Sequence, residues 1–318
     1  LGTVDGETRD KSVTVKVNQY SSKYKVGDYV DYKPALETET DATKKTYSLT
    51  SDKSGVFGAP QTVAYESGLK WRILNINEDT GKIDIVSDPT TAIVKLYGAT
   101  GYNNGVYALN DICEQLYSNK AKGITARSIN LEDMEKNLTP DGFTERNNYK
   151  NAVQYGTTKT CTEDDSYYPN YYKNEIGSGV DVAADKADTI TQPDKINAVD
   201  PYKESTYSKT LTSGYAQAPT KNLTVTQTYY GISLNNYGAA SSVLYNSNWY
   251  WVASRCVYTY SSYACFGLRI ARAWLNSNDL FKSYNYSLTS NNSCLRAIVS
   301  LDSRVLTEKT GDTWSTNM

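Results

Sequence analysis

Five cysteines, Cys113, Cys161, Cys256, Cys265 and Cys294, are the residues best equipped for chemistry in this chain of 318. A thiolate can act as nucleophile or metal ligand, and two nearby thiols can exchange electrons through a disulfide. None of the five forms a CxxC, so neither a zinc site nor a dithiol redox motif is spelled out. The odd number leaves at least one thiol outside any intrachain disulfide set, and spacing does not fix the pairing. Histidine is absent. That removes the usual activator of a Ser or Cys nucleophile, the commonest general base and the commonest metal ligand. Asn75, Asn77 and Asp79 resemble half of a calcium loop, but Thr80 stands where that loop requires Gly and no Glu occupies its last position. Turn chemistry is the expectation there. The site residues therefore include no catalytic or metal-binding member, and no cofactor is expected.

Charge and hydropathy narrow the partners. The net charge is -2, no basic face is visible, and nucleic acid is not an expected ligand. No stretch approaches the roughly 18 apolar residues of a membrane span. The first residue is Leu1, from which we expect an upstream signal, anchor or other segment to be missing.

The elements that would hold a site can be read from periodicity. Ser12–Val17 and the run near Tyr29–Tyr32 alternate with period two and read as strands. Residues 37–58 are polar and read as an exposed loop. Trp71–Ile76 and Lys82–Val86 form a hairpin around Asn77-Glu78-Asp79-Thr80-Gly81. Leu109, Ile112, Cys113, Leu116 and Tyr117 follow helical spacing over 106–117, which places Cys113 on an apolar face as a small buried hydrophobe. A second short helix starts after Asn130, an N-cap with Asp133 three residues on. Residues 137–221 read as long loops with short elements, draped over the domain. Strands return near Leu223, at Tyr250–Val257, at Phe266–Ile270 and at Leu295–Leu301.

Tyrosine is the compositional anomaly, with 29 Tyr against 4 Phe and 5 Trp. So many hydroxyls suit a surface better than a core, because each buried one needs a partner. Tyr with Ser, Gly and Asn is the composition of antibody paratopes: rigid amphipathic area with few torsions to freeze. Between Cys256 and Cys294, 19 of 39 residues are Tyr, Ser, Asn or Thr and Glu is absent. An ordinary solvated surface would use Lys and Glu instead.

The apolar framework of this window is Tyr250-Trp251-Val252-Ala253-Ser254-Arg255-Cys256-Val257, Phe266-Gly267-Leu268-Arg269 and Leu295-Arg296-Ala297-Ile298-Val299-Ser300-Leu301. With Trp71-Arg72-Ile73-Leu74, Gly101–Val106 and Ala126–Asn130, it resembles a Firmicutes family over about residues 24–301. Its C-terminal part looks like the variable proteins of diversity-generating retroelements. The resemblance implies a C-type-lectin-like fold, close to that of formylglycine-generating enzymes, displaying a mutable face. The implied class is α+β: a β-rich N-terminal segment over 1–67, then a lectin-like domain over 68–318 with long irregular insertions and a variable region at 256–294. Such systems mutate adenines, chiefly in Asn codons. Tyr, Ser, Asn and Cys lie among the products, whereas Trp274 and Lys282 do not and are either fixed or derived from other codons.

Carried onto this chain, the resemblance implies a ligand face of Tyr258, Tyr260, Ser262, Tyr263, Cys265, Ile270, Arg272, Trp274, Asn276, Asn278, Tyr284, Tyr286, Asn291 and Asn292. Arg255, Arg269 and Arg296 lie in framework motifs and are expected to hold the scaffold through buried carboxylate pairs. Gln192-Pro193-Asp194 matches a sugar-selecting tripeptide of calcium-dependent C-type lectins, but the partner Trp-Asn-Asp is missing. The expected function is binding rather than catalysis: a protein or glycan ligand on another cell or phage host, met at the cell surface, outside the cell or from a phage particle. A pilin-like structural subunit and a formylglycine-generating-type enzyme are the alternatives.

Overall fold

The computed structural model describes residues 23–56, 60–151, 232–260, 263–284 and 290–318, and short strands between 158 and 226. Strands β1 (Tyr29–Val30), β2 (Thr46–Leu49) and β3 (Gln61–Ala64) precede the hairpin of β4 (Trp71–Asn77) and β5 (Lys82–Ser87). The turn of that hairpin is closed by Thr80 N–H donating to Asn77 Oδ1 at 3.0 Å, with Gly81 at a left-handed φ of 66°. Asn75 points elsewhere and donates to Asp133 O at 3.2 Å. Helix α1 (Ser51–Ser54) lies between β2 and β3.

Strand β6 (Ile93–Tyr97) leads into helix α2 (Gly98–Tyr117), then β7 (Ala126–Ser128), α3 (Leu131–Glu135) and α4 (Pro140–Asn151). Helix α2 carries the expected apolar face, with Leu109, Ile112, Cys113, Leu116 and Tyr117 all buried. It begins eight residues before the pattern does. A Cβ at Gly101 would lie 2.9 Å from Ser54 O, and one at Gly105 would lie 2.8 Å from Leu268 Cδ2. Glycine is a poor helix former, so the same residues that let α2 pack closely also conceal its first turns. At α3, Asn130 Oδ1 accepts Asp133 N–H and Asp133 Oδ2 accepts Asn130 N–H, each at 3.0 Å, which is the expected reciprocal cap.

Six short strands follow: β8 (Thr158–Cys161), β9 (Tyr167–Pro169), β10 (Ala183–Lys186), β11 (Thr189–Thr191), β12 (Tyr215–Gln217) and β13 (Leu223–Thr226). The chain then supplies β14 (Ile232–Ser233), helix α5 (Ser241–Leu244), β15 (Tyr250–Tyr260), β16 (Tyr263–Ala271), β17 (Trp274–Lys282) and β18 (Ser290–Cys294). It ends in β19 (Ala297–Asp302), β20 (Leu306–Thr310) and β21 (Thr313–Thr316). Ser12–Val17, Gln192-Pro193-Asp194 and most of 137–221 lie outside the described residues.

Two sheets organise the fold, which is mixed helix and strand with β predominating. One runs β20-β21-β1-β4-β5-β19-β7, and the other β14-β17-β16-β15-β18-β6. Strand β1 pairs in parallel with β21 and antiparallel with β4, so this part of the N-terminal segment belongs to the first sheet. Helix α2 packs on β15, β16 and β17. A single apolar cluster joins Trp71, Ile73 and Ile85 of the first sheet to Trp251, Phe266 and Leu268 of the second. A second cluster joins Leu74, Val86 and Ile298 to Tyr250, Val252 and Leu275.

Residues 37–58, read as an exposed loop, hold structure. Strand β2 pairs with β3, burying Leu49 and Val63. Lys53 Nζ donates to Tyr47 Oη at 2.7 Å and to Asp111 Oδ2 at 3.0 Å, tying this hairpin to α2.

Candidate ligand face

The window of unusual composition is built on three antiparallel strands. Strand β15 pairs with β16 from Tyr250↔Ala271 to Tyr260↔Tyr263, and β16 pairs with β17 from Ala271↔Leu275 to Cys265↔Lys282. The central strand is apolar for a reason: from Ala264 to Ala271 every residue is buried, as expected of a strand covered on both faces. At Gly267 a Cβ would lie 2.2 Å from the backbone O of Asn278, beside the register shift between Phe266 and Gly267. Any larger residue there would press on the neighbouring strand's main chain.

Two expected ligand residues belong to this buried strand. Cys265 is 1 % exposed and Ile270 is 7 % exposed, so neither presents its side chain to a ligand. Ile270 pairs with Trp251 and lies with it in the larger apolar cluster. Burial of Cys265 follows from the central place of β16 in its sheet.

The exposed members flank that strand. Arg272, Trp274, Tyr284 and Asn292 are exposed, while Tyr263, Asn276, Asn278 and Asn291 are half-buried. Asn291 Nδ2 donates to Asp279 O and Asn276 Oδ1 accepts Ser277 N–H, so these amides also brace the backbone. Lys282 Nζ sits 5.8 Å from the Tyr263 ring centroid. Tyr258 and Tyr260 lie in β15, their backbones paired with Cys265 and Tyr263, and their side chains fall outside what is described. Ser262 and Tyr286 also lie outside the described residues.

These residues do not form one compact cluster. Arg272 and Trp274 stand at the turn between β16 and β17, whereas Tyr263 and Lys282 stand at the far end of the same nine-residue strand pair. At about 3.3 Å per residue that separation is roughly 26 Å. Asn276, Asn278 and Asn291 lie between. The arrangement is an elongated strip, with an aromatic and a cation at each end. Tyr245, 59 % exposed, adjoins the turn end and was not anticipated. Tyr245-Asn246-Ser247-Asn248 has the window's composition but precedes the first framework strand, so a boundary drawn at Cys256 excludes it.

The framework arginines are buried as expected, at 2 % for Arg255, 0 % for Arg269 and 1 % for Arg296. Two of them donate to main-chain carbonyls. Arg296 donates from Nε to Ser87 O at 2.8 Å, from Nη2 to Val243 O at 2.5 Å and from Nη1 to Leu244 O at 3.3 Å, and lies over the Tyr250 ring. Arg255 Nε donates to Tyr102 O at 2.9 Å and Nη2 donates to Asn103 O. Arg296 thus serves main-chain acceptors where a carboxylate pair was expected: it binds the ends of β5 and α5, whose carbonyls have no helical or ladder donor left.

The thiols are placed for packing. Cys113, Cys256, Cys265 and Cys294 are buried, and burial raises the Cys113 and Cys294 thiols above the ordinary range. Comparison of the chain with protein-family models, with curated proteins and with solved structures returns no match.

Proposed function

We propose that the chain is a non-enzymatic ligand-binding protein, a variable protein of a diversity-generating retroelement on a C-type-lectin-like scaffold. The observation that carries this reading is the contrast within one strand set. Trp274, Tyr284, Arg272 and Asn292 are exposed, while Trp251, Phe266 and Leu268 of the interleaved framework are buried at 0 %. Side chains of the first group can change at little cost to folding, since exposed substitutions usually shift stability by less than about 0.5 kcal/mol. Those of the second hold the backbone in place. Tyr, Trp, Arg and Asn are also the side chains that concentrate binding energy in protein interfaces and paratopes. The ligand is a protein or glycan met outside the cell, on another cell or from a phage particle.

Burial weighs against a thiol enzyme in this reading. Cys113, Cys256, Cys265 and Cys294 are buried, and a thiolate nucleophile needs an accessible, electropositive setting that lowers its pKa. The test is genetic. Deep sequencing of codons 256–294 in a clonal population, with the flanking DNA, should show adenine-directed variation at Tyr, Ser and Asn codons. The codons of Trp251, Phe266 and Leu268 should stay constant, with a near-copy of the window beside a reverse transcriptase gene. An invariant window with no such copy overturns the proposal.

A further inference from the structure

We propose that the turn end of the strip, together with Tyr245 from outside the variable window, is an anchor for an acidic segment of a protein partner. The inference rests on the ligand-binding reading above and adds a place and a chemistry to it.

Backbone hydrogen bonds bring the residues together. Asn246 N–H donates to Arg272 O at 3.2 Å, and Arg272 N–H donates to Trp274 O at 3.2 Å. Tyr245, Arg272 and Trp274 therefore project from neighbouring points. Tyr245 is 59 % exposed and Trp274 is 54 % exposed, the two most exposed large hydrophobic side chains among the described residues. Rings showing more than half their surface stand proud of the domain. Such rings suit insertion into a groove of a macromolecule, whereas a small ligand is held in a concavity.

Charge sets the chemistry of the occupant. Arg272 is exposed and makes no ion pair among the described residues. Arg72 is spent within the fold, donating to Gly27 O and Ser242 O and lying over the Tyr29 ring, so Arg272 is the guanidinium offered here. A guanidinium beside two exposed aromatic rings matches a partner segment carrying Asp or Glu next to an apolar residue. Tyr245 precedes the variable window, so this ring would persist while the strip varies.

The probe is a phage-displayed random peptide library panned on the immobilised whole chain, followed by affinity measurement of synthesised winners. The expected result is enrichment of Asp or Glu beside an apolar residue. Those peptides should bind about tenfold or more weakly to Tyr245→Ala and to Arg272→Ala, and their affinity should fall with added salt. Melting of both variants is measured in parallel, and each should match the parent. No enrichment of acidic peptides, or equal binding by Tyr245→Ala, overturns the anchor. Peptides that ignore Tyr245→Ala but are lost with Tyr263→Ser and Tyr284→Ser together overturn the anchor and leave the ligand-binding reading standing. Loss in Tyr245→Ala with full binding in that double variant supports the anchor and counts against the variable strip. A glycan array gives the remaining arm: Arg272-dependent binding to carboxylated or sulfated glycans, without peptide binding, overturns the choice of a protein partner.

Discussion

Replacing Arg296 with Met should be among the most costly single changes in this protein. Met keeps much of the buried volume but removes every donor. Leu244 O would keep the Tyr250 hydroxyl as donor, but Ser87 O and Val243 O would be left in a site that is 1 % exposed. Leaving a buried acceptor unsatisfied costs about 1–3 kcal/mol, so the expected loss for two is about 2–6 kcal/mol. At about 2–4 °C per kcal/mol for a domain of this class, Tm should fall by about 4–24 °C. Arg296→Lys should fall in between, because an ammonium keeps the charge but lacks the planar fork that reaches divergent carbonyls. Urea unfolding followed by tryptophan fluorescence reads all three proteins, with Arg272→Met as an exposed control expected to shift by less than about 0.5 kcal/mol. An Arg296→Met variant within about 1 kcal/mol of the parent would refute the view that this guanidinium is the donor those strand and helix ends depend on.

Other expectations can be checked with the same preparations. Tyr263→Ser, Trp274→Ser and Tyr284→Ser combined should leave Tm nearly unchanged, while Leu268→Ala should cost about 2–5 kcal/mol. Thermal melts that rank them the other way would mean the strip is core. In thiol labelling of the native protein, Cys113, Cys256, Cys265 and Cys294 should react only on unfolding, leaving at most Cys161 fast; two fast thiols would contradict their burial. Burial and the nearby Asp111 carboxylate push Tyr47 up to about 12, and burial also raises Tyr32, Tyr65 and Tyr117. Their folded pKa values exceed the unfolded value of about 10, so the stability they contribute is complete below pH 10. It is lost as pH rises from about 10 through 12. Tyrosinate absorbance should therefore appear together with loss of near-ultraviolet circular dichroism, and reversible titration of all tyrosines near pH 10 in folded protein would count against it.

Where local chemistry and tertiary demand agreed, the sequence was readable. The β4–β5 hairpin follows from alternating apolar residues around a turn with Gly81, and the α3 cap follows from Asn130 and Asp133. Helix α2 was only half legible, because Gly98 opens it at a left-handed φ and Gly101 and Gly105 answer to close packing against Ser54 and Leu268 rather than to helix propensity. The β2–β3 hairpin was hidden by polar outer faces, with Leu49 and Val63 as its main buried anchors. In the unusual window, apolar runs located β15 and β16 but not β17 or β18, and composition could not sort the sides of any of them. Cys265 and Ile270 were grouped with Tyr and Asn by position in the window, while their place in the central strand puts them inside. Tyr245 was lost for the converse reason: it reaches the strip through the Asn246–Arg272 hydrogen bond, which is invisible to any reading along the chain.

The paired register of β15, β16 and β17 sets a rule for what the window may become. Side chains alternate between faces with a period of two, so one inserted or deleted residue would exchange inside for outside along the rest of a strand. In β16 that slip would turn Phe266, Leu268 and Ile270 away from the larger apolar cluster and drive Arg269 and Cys265 toward it. The bulge at Gly267 and the close approach of Asn278 O leave little slack to absorb the error. Spelling can therefore vary at the exposed positions of these strands, but strand length cannot.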